Sequence, residues 1–144
     1  MEVKKSISFC MAHKLTNHRE LHGHSYELEI VLEGDILNDP TSPNDGLVMD
    51  YKAVEKIARE TIIDQLDRSC MISENDPITP TLRLIQDQIK IIFVPFVTSS
   101  EQVVKWIFEK LAPAFETYAT NKIKLTALTL RDSNNTAITY CLNN

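Results

Sequence analysis

The hydrophobic pattern changes along the chain from the period of a strand to that of a helix and back, and this order restricts the fold more than any other feature. Apolar and polar residues alternate in 3–12 and more clearly in 22–33, which predicts two strands, each with one wet face. Two helical stripes follow, and two further strands, at about 122–131 and 136–142, end the chain. Strands that flank helices are typical of α+β folds. The sequence therefore predicts the order β-β-α-α-β-β, with a four-stranded antiparallel sheet and two main helices on one face.

Each predicted helix has a recognisable start. Asp50 is placed to cap the first helix, whose apolar stripe runs to Leu66. Residues 98–102 contain overlapping capping boxes before the second helix, and Pro113 weakens the continuation of that helix. The segment between the two helices is an insert in this order, in which 82–88 fits a short helix and 90–96 a short strand.

Composition limits the size of the fold and the class of partner. The chain has 144 residues, of which 43% are hydrophobic, so we expect one domain spanning 1–144 with its own core. A formal net charge of −5 gives no electrostatic support to nucleic acids or anionic membranes as partners. The glycines are Gly23, Gly34 and Gly46, which excludes both the GxGxxG fingerprint and the GxxxxGK phosphate loop.

The cysteines and the N-terminal residues indicate the cellular compartment of the protein. Cys10, Cys70 and Cys141 are odd in number and widely spaced, so neither a disulfide framework nor a thiolate zinc site is suggested. The first residues lack the apolar region of a signal peptide. The longest apolar run, Ile91–Val97, contains Pro95 and is too short to span a bilayer. We therefore expect a cytoplasmic protein with reduced thiols.

All four histidines lie within the twelve residues from His13 to His24. His13 continues the inward positions of the first strand, and His22 and His24 continue those of the second, because strand side chains alternate. His18 falls in the intervening loop and does not share this parity. Three neutral imidazoles suit a tetrahedral zinc ion with an open fourth position. The alternative is a buried or pH-sensitive histidine cluster without a metal.

Five short motifs occur in a fixed order along nearly the whole chain. They are F-x-x-A-H at Phe9–His13, H-G-H-x-Y at His22–Tyr26, G-x-V-x-D at Gly46–Asp50, L-D at Leu66–Asp67 and S-S-E at Ser99–Glu101. In these motifs and their spacing the chain resembles the 6-pyruvoyltetrahydropterin synthase / 6-carboxytetrahydropterin synthase family. Residues 73–96 are the segment that matches the family poorly.

The resemblance implies the tunnelling fold and a zinc ion held by His13, His22 and His24. It implies a lyase that acts on the C6 side chain of 7,8-dihydroneopterin triphosphate or a related pterin, in a biopterin, folate or queuosine pathway. It also implies a homo-oligomer, a hexamer of two ring-shaped trimers, whose sheets pair edge to edge.

The resemblance further implies which residues bind the pterin. Glu101, with Ser99 and Ser100 beside it, and Asp132 would accept the adjacent N–H donors of the 2-amino-pyrimidinone edge. Asp132 stands where the family has a glutamate, so its reach is one methylene shorter. The alternatives from the residues themselves are that Glu101 complements a helix N-terminus and that Asp132 starts a turn.

The catalytic group departs from the family pattern. The family's cysteine before H-G-H is missing, since Thr16 and His18 occupy its two usual positions, and the family's histidine after L-D is replaced by Arg68. Asp67 is the retained member of the proton-transfer group. His18 or Glu20 must then supply the base, and Arg68 would bind the triphosphate or a carboxylate product.

Two other functions therefore stay open. One is a non-catalytic or regulatory homologue that binds zinc and a pterin, which the replaced cysteine and histidine favour. The other is a three-histidine zinc hydrolase that acts on an unrelated substrate. The sequence does not decide whether the product would be a carboxy-, pyruvoyl- or hydroxymethyl-pterin, because the residues that decide it have changed.

Overall fold

A hairpin of two long strands forms the centre of the fold. In a computed structural model, which describes residues 1–118 and 121–142, β1 runs over Glu2–His13 and β2 over His22–Glu33. The two strands pair antiparallel along their whole length. Most of their buried hydrophobic side chains lie on the face that the alternation predicts: Ile7, Phe9, Met11, Tyr26, Leu28, Ile30 and Leu32. Val31, on the opposite face, is buried as well.

The sheet is larger than predicted and is mixed, so the prediction of four antiparallel strands is wrong. In the described residues it has six strands, in the order β4-β3-β1-β2-β5-β6, where the additional strands are β3 (Ser69–Ser73), β4 (Ile91–Val94), β5 (Lys124–Arg131) and β6 (Ala137–Cys141). β3 pairs parallel with β1, and β4 pairs parallel with β3. β3 was missed because its five residues are too short, and too polar at both ends, to show an alternation. β4 agrees with the short strand predicted at 90–96, but it joins the sheet, whereas the predicted sheet does not include it.

The first helical region is continuous, as its apolar stripe predicts. It begins after Asp50, whose carboxylate accepts a hydrogen bond from the Lys52 amide (3.2 Å). α1 (Tyr51–Ala58) continues into a π-helical turn (Arg59–Ile63) and a final short turn, α2 (Asp64–Leu66). The helical region therefore delivers the chain directly to the start of β3.

A shorter helix, α3 (Thr79–Arg83), lies in the segment between α2 and β4. It begins three residues before the predicted 82–88. Pro80 lies in its first turn, where a missing N–H costs nothing, and the Thr79 hydroxyl donates to the Ser73 carbonyl oxygen (2.6 Å). These two features favour the earlier start.

The last helix, α4 (Ser100–Glu116), begins after Ser99, whose hydroxyl accepts a hydrogen bond from the Gln102 amide (3.4 Å). It continues past Pro113, further than predicted. Pro113 is exposed, so the hydrogen bond that it cannot make is lost on the wet side, while burial of Phe115 favours a further turn. None of the helices in 1–118 and 121–142 has the length and apolar character needed to cross a membrane.

Two lysines fasten the segment between α2 and α4 to the rest of the fold. The Lys90 ammonium donates to the carbonyl oxygens of Asp64 (2.6 Å) and Asp67 (2.7 Å), at the end of the first helical region. The Lys14 ammonium lies 2.7 Å from the Asp76 carboxylate, and the two side chains are 14% and 1% exposed. Each end of the segment is thus held by a charged group.

Candidate metal centre

Three histidine side chains meet at the end of the β1–β2 hairpin where the connecting loop joins the two strands. Nε2 of His13 lies 3.0 Å from Nε2 of His22 and 3.3 Å from Nε2 of His24, and the three candidate ligand atoms all lie within 4.8 Å of one another. His13 pairs with His22 across the hairpin, and His24 is the next residue of β2 on the same face. The hairpin register therefore brings together the three rings that strand parity placed on one face.

The remaining nitrogen of His13 determines which form of the ring is present. Nδ1 lies 2.6 Å from the carbonyl oxygen of Thr98. Because a carbonyl oxygen only accepts, Nδ1 must carry the proton, and Nε2 of the neutral ring keeps a free lone pair directed at the other two histidines. The buried Thr98 also donates its hydroxyl to the Lys14 carbonyl oxygen (2.9 Å). One residue thus orients the ring and fixes the backbone after it.

Burial favours the neutral form of His13. Burial is the main cause that lowers the pKa of this ring, and the charges of His22 and His24 lower it further. The hydrogen bond to Thr98 and the negative charge of Asp132 act in the opposite direction without reversing the shift. A neutral imidazole is the form that binds a metal ion.

The donor set fits zinc. Zinc–nitrogen bonds of about 2.0–2.1 Å in a tetrahedral arrangement separate the ligand nitrogens by ~3.3–3.4 Å. The separations of 3.0 and 3.3 Å from His13 are close to this value. His13 is buried, His24 is half-buried and His22 is exposed, so the cluster opens towards solvent on the His22 side. Three histidines that leave one coordination position for a water or a substrate are typical of catalytic zinc sites.

Comparison with known proteins assigns the chain to a family. The family model described as 6-pyruvoyl tetrahydropterin synthase matches residues 2–142. The chain belongs to this family. The 6-carboxy-5,6,7,8-tetrahydropterin synthase of Haemophilus influenzae is 27% identical over 116 residues, which cover 76% of this chain and 81% of that protein. The enzyme of the same name from Aquifex aeolicus is 33% identical over 99 residues, which cover 67% of this chain and 57% of that protein.

The fold is also that of a solved member of the family. The structure of Caenorhabditis elegans 6-pyruvoyl tetrahydropterin synthase matches with a TM-score of 0.65 and 21% identity, and covers 99% of this chain and 96% of that one. The α+β architecture with its enlarged mixed sheet is therefore the fold of the 6-pyruvoyl tetrahydropterin synthase family. Together with the match to the family model, the three-histidine cluster makes the chain a pterin synthase-like protein.

Asp132 lies close enough to His13 to act on it electrostatically. It follows the last residue of β5, is half-buried, and accepts a hydrogen bond from the Thr136 hydroxyl. Burial raises the pKa of Tyr26 well above its ordinary value, and the Asp132 charge adds to this shift. The Tyr26 ring in turn lies 5.3 Å from the His24 ring. Asp132 therefore both starts a turn and lies within electrostatic range of His13 and Tyr26.

The start of α4 is joined to the cluster through Thr98. Ser99 uses its hydroxyl to cap the helix, Ser100 is half-buried, and Glu101 is exposed in the first helical turn. All three follow directly after the residue whose carbonyl holds His13. Sequence reasoning read Thr98 only as part of a capping box and missed its role at the metal centre, because a backbone carbonyl leaves no trace in the pattern of side chains.

Asp67 and Arg68 are held beside Cys10 rather than at the histidines. The Cys10 amide donates to Asp67 Oδ1 (2.9 Å), and the Arg68 amide donates to the Cys10 carbonyl oxygen (2.6 Å). Cys10 is exposed and alternates with Met11 and His13, whose side chains point inwards. Within one chain these contacts hold Asp67 against the backbone of β1, and Arg68 lines a shallow pocket that also includes His24.

His18 and Glu20 lie in the loop that joins the two strands. Both are exposed. The His18 amide donates to the Leu15 carbonyl oxygen (3.0 Å), and Asn17 adopts a left-handed backbone conformation with φ of 67°. The loop leaves β1 after His13 and enters β2 at His22, so both residues belong to a short connection between two of the clustered histidines.

Proposed function

We propose that this chain is a zinc-dependent lyase that acts on the C6 side chain of 7,8-dihydroneopterin triphosphate or a related pterin. The observation that carries the proposal is the convergence of three histidine Nε2 atoms, with the tautomer of His13 set by Thr98. Zinc bound by His13, His22 and His24 would supply Lewis-acid polarisation of the side-chain oxygens of the substrate. The names of the two sequence relatives support pterin chemistry.

The pterin ring would be held by carboxylates on either side of the cluster. Asp132 is half-buried and acts electrostatically on His13, which suits a group that accepts N–H donors from the 2-amino-pyrimidinone edge. Glu101, in the first turn of α4, would accept from the same edge, with Ser99 and Ser100 beside it. Because the Thr136 hydroxyl occupies Oδ1 of Asp132, Oδ2 is the oxygen that remains for a ligand.

The proton would be removed by His18 or Glu20. Both belong to the loop that ends at His22, and imidazole and carboxylate groups are both competent bases near neutral pH. Arg68 cannot exchange protons in this way, because a guanidinium stays charged.

Turnover by the purified, zinc-loaded protein tests the proposal. We expect the C6 side chain of 7,8-dihydroneopterin triphosphate to be changed by elimination of triphosphate or by retro-aldol cleavage, and chromatography of the pterin products measures the conversion. The His22→Ala protein, which loses a metal ligand, is the matched control and should be inactive. Absence of any product over hours from wild-type protein of full zinc content would overturn the lyase assignment.

A series of single variants identifies the base. His18→Ala or Glu20→Ala should lower turnover by about 10²–10⁴-fold at unchanged zinc content, the range typical for loss of a general base. Cys70→Ala is the control: Cys70 pairs with Ala12 on β3, and burial raises the pKa of its thiol, so it should not serve as a nucleophile. If Cys70→Ala abolished turnover while both loop variants kept it, this assignment would be wrong.

A pterin-binding homologue without turnover is the second candidate. Two observations favour it: Asp67 uses its carboxylate on the Cys10 amide, and Arg68 stands where the family has a histidine. This candidate predicts that a pterin binds to the zinc-loaded protein, as followed by fluorescence titration, while the turnover assay stays blank.

We also propose that the chain works as a homo-oligomer, by resemblance to its family a hexamer of two trimers. β4 and β6 are the edge strands of the described sheet, and each presents unpaired backbone groups that another copy can bind. A second copy could also bring its Asp67 to a cluster that Asp67 does not reach in its own chain. Light scattering that gave a stable 16.4 kDa monomer at micromolar concentration would contradict this.

A further inference from the structure

A buried ion pair begins at the residue that follows His13 in the chain. The Lys14 ammonium lies 2.7 Å from Oδ2 of Asp76, and both side chains are mostly withdrawn from solvent. Burial removes both charges from water, so such a pair is weak evidence for stability, and a role in fixing one conformation is the alternative. The position of the pair beside a candidate metal ligand indicates which conformation it would fix.

Asp76 is held in place by the turn that follows β3. Its amide donates to the Ser73 carbonyl oxygen (3.1 Å), and its Oδ1 accepts a hydrogen bond from the Ile78 amide (3.0 Å). Ser73 is the last residue of β3 and pairs with Val94 of β4. The carboxylate is therefore fixed to the sheet, and its second oxygen is the one that meets Lys14.

Lys14 is held both through its side chain and through its backbone. Besides Asp76, its ammonium contacts the Leu15 carbonyl oxygen (3.4 Å). The Lys14 carbonyl oxygen accepts the hydroxyl of Thr98 (2.9 Å). A residue held at both places has little freedom to rotate, and its backbone continues directly from His13.

The His13 ring depends on the same threonine. The Thr98 carbonyl oxygen lies 2.6 Å from Nδ1 of His13, and Thr98 is fully buried. His13, Lys14 and Thr98 therefore form a closed ring of one covalent link and two hydrogen bonds. Asp76 anchors this ring to the turn after β3. A displacement of Lys14 would shift Thr98 and with it the oxygen that aligns His13.

The pair acts on the cluster through geometry more than through charge. The Asp76 carboxylate and the Lys14 ammonium carry opposite charges at hydrogen-bonding distance, so their fields largely cancel at the histidines. Loss of either partner should therefore have the same effect on a bound cation if the pair positions His13. It should have opposite effects if the two charges act separately.

We propose that Asp76 is a positioning residue of the metal centre, which acts through Lys14 and Thr98 to hold His13 in the orientation that binds zinc. The proposal rests on the zinc site of the function proposed above, but it requires neither a pterin nor turnover. Groups that orient metal-binding histidines typically change metal affinity by roughly 10–100-fold. Because Asp76 acts through intervening residues, we expect the lower end of this range.

Zinc titration of the metal-free protein against a competing fluorescent chelator tests the proposal. Asp76→Asn should raise the Kd for zinc by about tenfold. Lys14→Met should raise it as well, because the backbone after His13 loses the same anchor. This second variant separates positioning from charge, since removal of a positive charge beside a cation site would by itself lower the Kd.

Leu125→Ala is the matched control for a general loss of stability. Leu125 is fully buried and pairs with Leu32, whose partner on β1 is Val3. Val3 precedes His13 by ten residues, about 33 Å along the strand. The lost core side chain lowers stability substantially, but the Kd for zinc should stay as in wild type. An equal rise of the Kd in this variant would mean that zinc affinity merely follows stability, and would overturn the proposal.

Solvent exchange of the His13 Nδ1 proton, followed by NMR at saturating zinc, is the second readout. It should be faster in Asp76→Asn and unchanged in Leu125→Ala. An unchanged Kd in Asp76→Asn, with zinc lost from His22→Ala, would overturn the positioning role and leave the metal centre intact. Zinc binding that His22→Ala does not weaken would contradict the metal centre and this proposal together. A lowered Kd in Lys14→Met would assign the effect to charge and also overturn it.

Discussion

Replacing His22 by alanine is expected to remove zinc from the purified protein, whereas His18→Ala keeps one zinc ion per chain. Three Nε2 atoms converge in the wild-type cluster, and two are too few to retain the metal. The Kd for zinc should rise by more than the roughly 10–100-fold that loss of an outer-shell partner costs. Metal analysis after dialysis against a weak chelator measures both variants.

His18 is the matched control, because it is a histidine of the same hairpin that lies outside the strand parity. The assignment of His13, His22 and His24 fails if His18→Ala alone releases zinc. If neither variant changes the metal content, the bound ion lies elsewhere in the protein.

Replacing Asp76 by asparagine is expected to lower the free energy of unfolding by about 2 kcal/mol at neutral pH. The Asp76 side chain is almost completely buried and lies 2.7 Å from the Lys14 ammonium, and its other oxygen accepts the Ile78 amide. The variant leaves the mostly buried Lys14 without its counter-charge. Chemical denaturation followed by circular dichroism measures the loss.

The same pair predicts the dependence of stability on pH. Burial would by itself raise the pKa of Asp76, but the Ile78 amide and the Lys14 ammonium hold it below its ordinary value. A carboxyl whose pKa is lower in the folded state stabilises the fold fully above its unfolded pKa of about 3.9. This stabilisation is lost as pH falls through the folded pKa.

Asp76→Asn should therefore flatten the acid part of the stability curve. Glu74→Gln, which changes an exposed carboxylate two residues away, is the control and should leave the curve almost unchanged. Equal effects of the two substitutions would mean that Asp76 contributes no more than a surface charge.

Sequence periodicity predicted the part of the site that depends on a local rule. The side chains of His13, His22 and His24 share a face because strand residues alternate, and the hairpin register needed no further information. The start of α4 was predictable for the same reason, since the capping hydroxyl of Ser99 acts within one turn. Where a single periodicity determines the local structure, the sequence alone predicts which side chains come together.

The features that were missed depend on contacts between distant residues. β3 pairs with a strand more than fifty residues earlier in the sequence, and its five residues show no periodicity of their own. The contact of the Thr98 carbonyl with His13 spans 85 residues and uses a backbone atom. Contacts between residues so far apart in the sequence cannot be predicted from a local pattern.

The two lysine contacts that fasten the segment between α2 and α4 have a consequence for local unfolding. Lys90 ties this segment to the turn that carries Arg68, and Lys14, which binds Asp76, is the residue that follows His13. If the segment opens, both anchors are released together, so the amides of β3 and of the end of β1 should exchange with solvent as one cooperative unit. The segment between the two long helices thereby shares its opening free energy with one of the three clustered histidines, and shortening it would loosen the histidine cluster along with the sheet edge.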